Sequence, residues 1–312
     1  MPQPTAFFEG EFVPLEDAKI GVMTHAFNYG TAVFEGIRGN WNADDETLYL
    51  FRVRDHVKRV LQSSKIMRLG VSYSEDQIVE NIERVAELSD FREDVYIRPL
   101  VYKSEEVVGL RMHDLEEDLL IFLTPFGAYL DPDAGVRCMT SSWRRIDDTM
   151  IPARAKVTGL YANNAMAKTE AQLNGFDEAI MLNQDGHVSE GSGENIVIIR
   201  HGKLITPPAA DNILEGITLE TALEIAQREL GLEVERRTID RSELYIADEI
   251  FMTGTAAHVT PVTEVDRIPI GDGQFGEVSS TLQKRYFEAI TGRIPEYRDW
   301  LTPVKAGATV SA

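Results

Sequence analysis

The sequence predicts a mixed α+β protein, and three observations carry that prediction. The 312 residues are 43% hydrophobic, enough for two domains, or one large one, with well-buried cores. Helix-period and strand-period segments are interspersed along the whole chain. Residues 125–135, PFGAYLDPDAG, concentrate Gly, Pro and Asp, the composition of a linker. The expected organisation is a small N-terminal α+β domain over 1–125, a linker over 126–135, and a larger C-terminal domain of strands and helices over 136–312.

Taken in order, residues 54–68, RDHVKRVLQSSKIMR, set Val57, Val60 and Leu61, then Ile66 and Met67, at helical spacing, so an amphipathic helix is expected; residues 77–88 repeat the pattern. DVYIRPLVY and DLLIFLTPF are β-branched and aromatic runs bounded by charge, hence strands. After the linker, VRCMTSS reads as a strand and 161–174 as an Ala-rich helix stopped by Gly175, with Lys168 beside Glu170 on a solvated face. EAIMLNQDGHVSEG and NIVIIRHGKLITP have hairpin form, with Asp185-Gly186 and His201-Gly202 as turns. An amphipathic helix over 219–230 is opened by Gly216-Ile217-Thr218 and closed by Gly231. DEIFMTGTAAHVTPV reads as one strand ending in small residues. There is no internal repeat.

Charge narrows the function. Lys and Arg total 31 against 51 Asp and Glu, a net charge of -20, which repels phosphate backbones and anionic membranes, so neither nucleic acid nor membrane is an expected partner. Cys138 is the only cysteine, which excludes an intrachain disulfide and a C-x-x-C site. The N-terminus shows no basic segment leading an apolar run, and a cytoplasmic location is expected. The six histidines show no H-x-x-x-H spacing, so no metal is expected, and neither a G-x-S-x-G elbow nor a G-x-x-x-x-G-K-[ST] loop occurs.

Two stretches could hold a phosphate: Gly216-Ile217-Thr218 at a helix start, and Gly254-Thr255-Ala256-Ala257 after a strand. Small residues let backbone N–H groups approach an anion, and a helix N-terminus adds about half a positive charge. Either alone is an ordinary cap or turn; together with a lysine they suggest a phosphorylated cofactor. Lys156, in IPARAKVTGLYANN, lies in a stretch almost free of acidic residues within an acidic chain. SEGSGEN lacks the lysine and following helix of a phosphate loop and reads as a tight turn between strands.

HAFNYGTAVFEGIR, YIRPL, SSWRR, the lysine of IPARAK, VSEGSGEN, EGIT and FMTGTAAHVTPV follow one another in the order and at the spacings of the branched-chain amino acid aminotransferases. The chain resembles that family, of fold-type IV (class IV) pyridoxal 5'-phosphate (PLP) enzymes, essentially as far as Val304. The resemblance implies that Lys156 is the catalytic lysine that carries PLP, a role that needs a neutral amine and suits a lysine away from carboxylates and partly desolvated. It implies that Glu190 pairs with the pyridine nitrogen, a choice over Glu194 that rests on the family register alone, and that Tyr161 bonds the phenolic oxygen. Arg59 would meet the phosphate by its side chain, with Ile217, Thr218 and Thr255 giving backbone or hydroxyl donors. Asn195 would support the turn.

For the substrate, the resemblance implies an apolar pocket of Tyr29, Phe34, Tyr129 and the backbone near Gly36. Tyr96 and the amides of Thr255, Ala256 and Ala257 would bind the α-carboxylate, and Arg98 the second carboxylate of glutamate. Phe126 departs from relatives that carry tryptophan there, which alters the shape of the pocket. The implied reaction is reversible ping-pong amino transfer between L-leucine, L-isoleucine or L-valine and 2-oxoglutarate, with Lys156 moving the proton. Other readings of the same fold are a D-amino acid aminotransferase, an aminodeoxychorismate lyase, or a PLP-binding protein without turnover. Val107, Val108 and Leu110 place three apolar residues in a loop, the mark of a partner surface. In the resembling family this loop enters the neighbouring subunit's site, so Leu110 is expected to serve a second copy, with a homodimer as the catalytic unit and a homohexamer as a further stage.

Overall fold

In a computed structural model the described residues are 4–127 and 135–305. Most of the expected linker, and Tyr129, lie outside them. The chain forms two compact units, and these do not follow chain order: residues 1–127, 155–159 and 288–312 make the first, and 128–154 and 160–287 the second. The division into a small domain before residue 126 and a larger one after 135 therefore differs from what is observed, and the two units are of nearly equal length.

The first unit begins with a hairpin of β1 (Thr5–Phe8) and β2 (Glu11–Pro14), then α1 (His25–Tyr29), β3 (Ala32–Phe34), β4 (Ile37–Asn42) and β5 (Thr47–Phe51). Two helices follow, α2 (Val53–Ile66) and α3 (Glu75–Ser89), before β6 (Val95–Lys103) and β7 (Glu117–Pro125). The described strands form one antiparallel sheet in the order Leu301–Lys305, β5, β4, β6, β7, β1, β2, with β3 also on β6. Val53, Val57 and Val60 line the buried stripe of α2, as the helical period requires, and Ile78, Ile82 and Val85 that of α3. Ser74 starts α3 with a reciprocal capping box to Gln77. Along β6, Val95, Ile97 and Val101 are buried, while Tyr96 and Arg98 share the opposite face.

Two distant segments join this unit for identifiable reasons. The strand Leu301–Lys305 pairs with β5 along its length, from Leu301 opposite Phe51 to Lys305 opposite Thr47. Residues 155–159 lie along β3: Phe34 N donates to Lys156 O at 3.0 Å, Val157 bridges Val33, and the Thr158 hydroxyl donates to Gly30 O at 2.9 Å.

The second unit contains β8 (Val136–Thr140), α4 (Tyr161–Leu173), β9 (Glu178–Leu182), β10 (Val188–Gly191), β11 (Asn195–Arg200), β12 (Lys203–Thr206), α5 (Ile217–Leu230), β13 (Glu233–Arg236), α6 (Arg241–Leu244), β14 (Glu249–Gly254), β15 (His258–Val265) and β16 (Ile268–Pro269). Helix α7 (Glu277–Ile290) ends in residues of the first unit. The sheet runs β10, β9, β8, β15, β14, β11, β12, β13, with β16 on β15. The β8–β9 and β12–β13 pairs are parallel, and each is connected through a helix, α4 and α5 respectively, as parallel neighbours require. Its core gathers Val136, Cys138, Ile180, Val188, Ile196 and Met252, and α4 sets Ala167 and Ala171 against Ala179 and Met181.

Both expected hairpins form, with His201 and Gly202 at positive φ between β11 and β12. Two further expectations are overturned. DEIFMTGTAAHVTPV is not one strand but a hairpin, β14 antiparallel to β15 with Gly254 opposite His258. Both arms are largely buried and carry threonines as the turn does, so no change of composition marks the turn at 255–257. Lys168 is not solvated: it donates to Asp177 O at 2.8 Å and to the buried Glu178 carboxylate at 2.5 Å.

Candidate active site

In the first unit, Lys156 hangs from the backbone bond to Phe34, and its own N–H donates to Ser63 Oγ of α2 at 3.2 Å. Its Nζ stands 5.0 Å from the centre of the Phe34 ring. The Arg98 guanidinium lies 4.4 Å from the same ring and donates from Nη2 to Tyr96 Oη at 3.0 Å, while its buried Nε has no hydrogen-bond partner. Gly36 makes room for this arrangement, because a Cβ there would come within 2.0 Å of Tyr96 Oη. The fold thus collects Phe34, Gly36, Tyr96, Arg98 and Lys156 in one place. Tyr29, at the end of α1, instead accepts from Gly109 N at 3.1 Å and so stands with the loop that carries Leu110, which is 84% exposed.

Arg59 is no surface charge. Its Nε and Nη2 donate to the two oxygens of Glu35 at 2.6 and 2.8 Å, and His56 Nδ1 donates to Glu35 Oε2 at 2.7 Å. Glu35 is wholly buried. Burial alone would raise its pKa, but the charge and hydrogen bonds of Arg59, with the bond from His56, hold the carboxyl well below the usual range. His56 is pushed down, first by burial and then by Arg59 and Lys156, against the pull of Glu35. The result is one ion pair with a neutral imidazole beside it. Neither Glu35 nor His56 stands out in the sequence; the available signal is an acid inside the apolar run AVFEGI.

In the second unit Glu190, the start of α5 and the end of β14 meet around the turn between β10 and β11. Glu190, buried, is paired with the Arg145 guanidinium at 2.7 Å and accepts from Asn195 Nδ2 and Leu214 N, both at 2.9 Å. Arg145 also donates to Asn164 Oδ1 at 2.8 Å, and Asn164 Nδ2 donates to Ser192 O at 2.7 Å, so the turn and the carboxylate are fixed together. Within SSWRR nothing marks Arg145 for this task, and only folding reveals its partner. Asn195 supports the turn as expected, and it also reaches Leu214 O at 2.8 Å.

Helix α5 begins at Ile217 with Gly216 at its N-cap and no side chain capping it. A Cβ on Gly216 would come within 1.9 Å of Asn195 Oδ1, so the helix start and the Glu190 cluster are packed backbone to side chain. Thr218 is buried in the first turn. The turn of Thr255, Ala256 and Ala257 is linked to the same place through Gly254, whose added Cβ would touch Gly193 O at 3.2 Å and Glu194 Cγ at 3.4 Å. Tyr161 is the first residue of α4.

Glu194 differs sharply from Glu190. It accepts from Gly193 N at 3.0 Å, and burial, followed by the negative charge of Glu178, pushes its carboxyl up to about 8. Glu190 instead has a guanidinium partner. The two carboxylates that the motif leaves in competition therefore occupy different electrostatic environments.

A sequence profile described as Amino-transferase class IV matches residues 32–265. The chain is 50% identical over 299 residues to a probable branched-chain-amino-acid aminotransferase of Aquifex aeolicus, covering 96% of each chain, and 39% identical over 302 residues to the branched-chain-amino-acid aminotransferase of Escherichia coli K12, again covering 96% of each. Among solved structures, it superposes with a TM-score of 0.93 on the branched-chain aminotransferase of Thermoproteus uzoniensis with norvaline, at 44% identity, covering 97% of this chain and 99% of that one. The branched-chain amino acid aminotransferase of Thermobaculum terrenum in its PLP form gives 0.92 at 37% identity, with the same coverage. With a profile that spans most of its length and relatives up to 50% identical over 96% of it, the chain belongs to the class IV aminotransferases, among the branched-chain-amino-acid aminotransferases.

Proposed function

We infer that this protein catalyses reversible amino transfer between L-leucine, L-isoleucine or L-valine and 2-oxoglutarate, with PLP as cofactor. The observation that carries the substrate reading is the Phe34 ring flanked by Lys156 Nζ at 5.0 Å and the Arg98 guanidinium at 4.4 Å. An apolar wall suits a branched side chain. The Arg98 Nε, buried and without a partner, suits the second carboxylate of glutamate. One pocket can then accept both classes of substrate in turn.

The residues fit PLP. The uncapped start of α5 offers N–H groups of Ile217 and Thr218 to a dianionic phosphate. Thr255 would add a donor, and Arg59, oriented by Glu35, would supply charge. A buried carboxylate that keeps a guanidinium partner, Glu190, suits a protonated ring nitrogen, and Tyr161 would bond the ring oxygen. When bound, PLP supplies an electron sink for charge developing at the substrate's Cα. Lys156 would hold the cofactor at rest and then carry the proton at Cα from its Nζ, and Tyr96 with the 255–257 amides would orient the α-carboxylate.

Two further readings concern assembly and place. Tyr29 and Gly109 are hydrogen-bonded within one chain, so if Leu110 lines a neighbouring copy's pocket, Tyr29 goes there with it; the catalytic unit is then a homodimer. None of the described helices is long and apolar enough to cross a membrane, and a single cysteine suits a reducing cytoplasm.

Assay of L-valine, L-leucine and D-alanine against 2-oxoglutarate tests the proposal. Turnover is expected with the two L-substrates and little with D-alanine, and Lys156→Ala should abolish it together with the visible absorption of the bound cofactor. Preference for D-alanine would overturn the reading.

A further inference from the structure

His25 is completely buried at the start of α1, and both ring nitrogens are engaged: Nδ1 with Thr31 Oγ1 at 2.7 Å and Nε2 with Gly109 O at 2.8 Å. A carbonyl oxygen can only accept, so Nε2 carries a proton and donates to Gly109; in the neutral ring Nδ1 then accepts from the Thr31 hydroxyl. The Gly109 N–H donates to Tyr29 Oη at 3.1 Å, and the His25 and Tyr29 rings are in contact, with centroids 4.7 Å apart. The donor and the acceptor of one residue in an exposed loop are therefore both held by side chains of α1. The stem of the loop is fixed too, by His25 N donating to Glu105 O at 2.9 Å and by the bridge between Thr24 and Glu106.

Gly109 has φ +153, a conformation that L side chains rarely adopt, with open space around the position of a Cβ. Glycine adopts this conformation without strain but is free to leave it, and the clamp selects it from the others a free glycine would visit. On either side of it Val108 and Leu110 are 73% and 84% exposed, presented rather than folded back. Holding such a loop in advance removes an ordering cost at the moment of contact.

We propose that His25 is a positioning residue for the substrate side chain: with Tyr29 it clamps Gly109 and so fixes where Val108 and Leu110 stand. This rests on the reading of the 107–110 loop as one that meets substrate, in a neighbouring copy. His25 touches neither substrate nor cofactor and takes no part in proton transfer.

Two substitutions separate its two hydrogen bonds. The amide of His25→Gln reaches the position of Nε2 and can still donate to Gly109 O; that of His25→Asn reaches only the position of Nδ1 and keeps Thr31 alone. In the PLP-loaded enzyme, His25→Asn should raise KM for 4-methyl-2-oxopentanoate about fivefold or more, the worth of one such bond. Its kcat should stay within about twofold and its cofactor absorption unchanged, while His25→Gln should restore most of the loss. Hydrogen exchange of the Gly109 amide, which donates to Tyr29, should be slow in the unaltered protein and fast in His25→Asn. Fast exchange in the unaltered protein would overturn the clamp even if neither variant folds, and so would equal KM effects of the two variants. Leu110→Ala separates the underlying reading: a raised KM there with none in His25→Asn removes the role of His25 and leaves the loop's role standing. If Leu110→Ala leaves KM unmoved, the loop does not meet substrate and the proposal falls with that reading.

Discussion

Glu35 decides the behaviour of its neighbours, because a buried carboxylate is tolerable only with a partner, and Arg59 and His56 are both turned toward it. Glu35→Gln removes the carboxylate that pairs with Arg59 and should cost up to about 3–5 kcal/mol of stability and weaken PLP binding. The sign with pH follows from the lowered pKa: the contribution is present above the unfolded carboxylate value of about 4.3 and is lost as pH falls toward the folded value. Urea midpoints should thus differ most between wild type and Glu35→Gln near pH 7 and converge in acid; a constant difference would contradict the buried pair. In the proposed reaction Arg98, whose buried Nε has no hydrogen-bond partner, serves substrate rather than stability. Arg98→Ala should raise KM for 2-oxoglutarate about 10–100-fold, the range for a charge-assisted bond, and that for 4-methyl-2-oxopentanoate much less. Equal losses would remove dual recognition.

Among the elements, the turn between β10 and β11 carries the most concentrated electrostatics. Its Glu190 end is neutralised by Arg145 and its Glu194 end is not. Because burial and Glu178 raise the Glu194 carboxyl to about 8, its contribution to stability is full below about 4.3, the unfolded value, and is lost as pH rises through 8. Glu194→Gln, uncharged throughout, should be close to wild type near pH 5 and more resistant to urea above pH 8. A difference that does not grow with pH would show that Glu194 is ionised at both ends of that range. Helices α2 and α3 were legible because their apolar period is strong, and α5 because its glycines flank it. The β14–β15 turn was not, since small apolar residues continue a buried strand as readily as they end it.

At the scale of the molecule, the exposed pair Val108 and Leu110 is one apolar feature a single chain leaves unexplained. Leu110→Asp should lower activity about tenfold or more by carrying a charge into an apolar pocket of a second copy, without changing cofactor absorption. Sedimentation that finds a fully active monomer would remove the shared site.

The class of protein, the order of most helices and strands, and the family were legible without coordinates, because apolar period and short motifs are local properties of the chain. The sequence also singled out Lys156 as a candidate through the scarcity of acids around it, while Glu190 was chosen over Glu194 only through the family's register. Folding was needed to lay residues 155–159 along β3 and to add Leu301–Lys305 to the first sheet, since edge pairing depends on which backbone donors the fold leaves open. It alone paired Arg59 with Glu35, Arg145 with Glu190 and His25 with Gly109. In each of those pairs the partners are at least 24 residues apart in the chain, and a charge or a ring nitrogen in a sequence does not say which distant group it will be buried against.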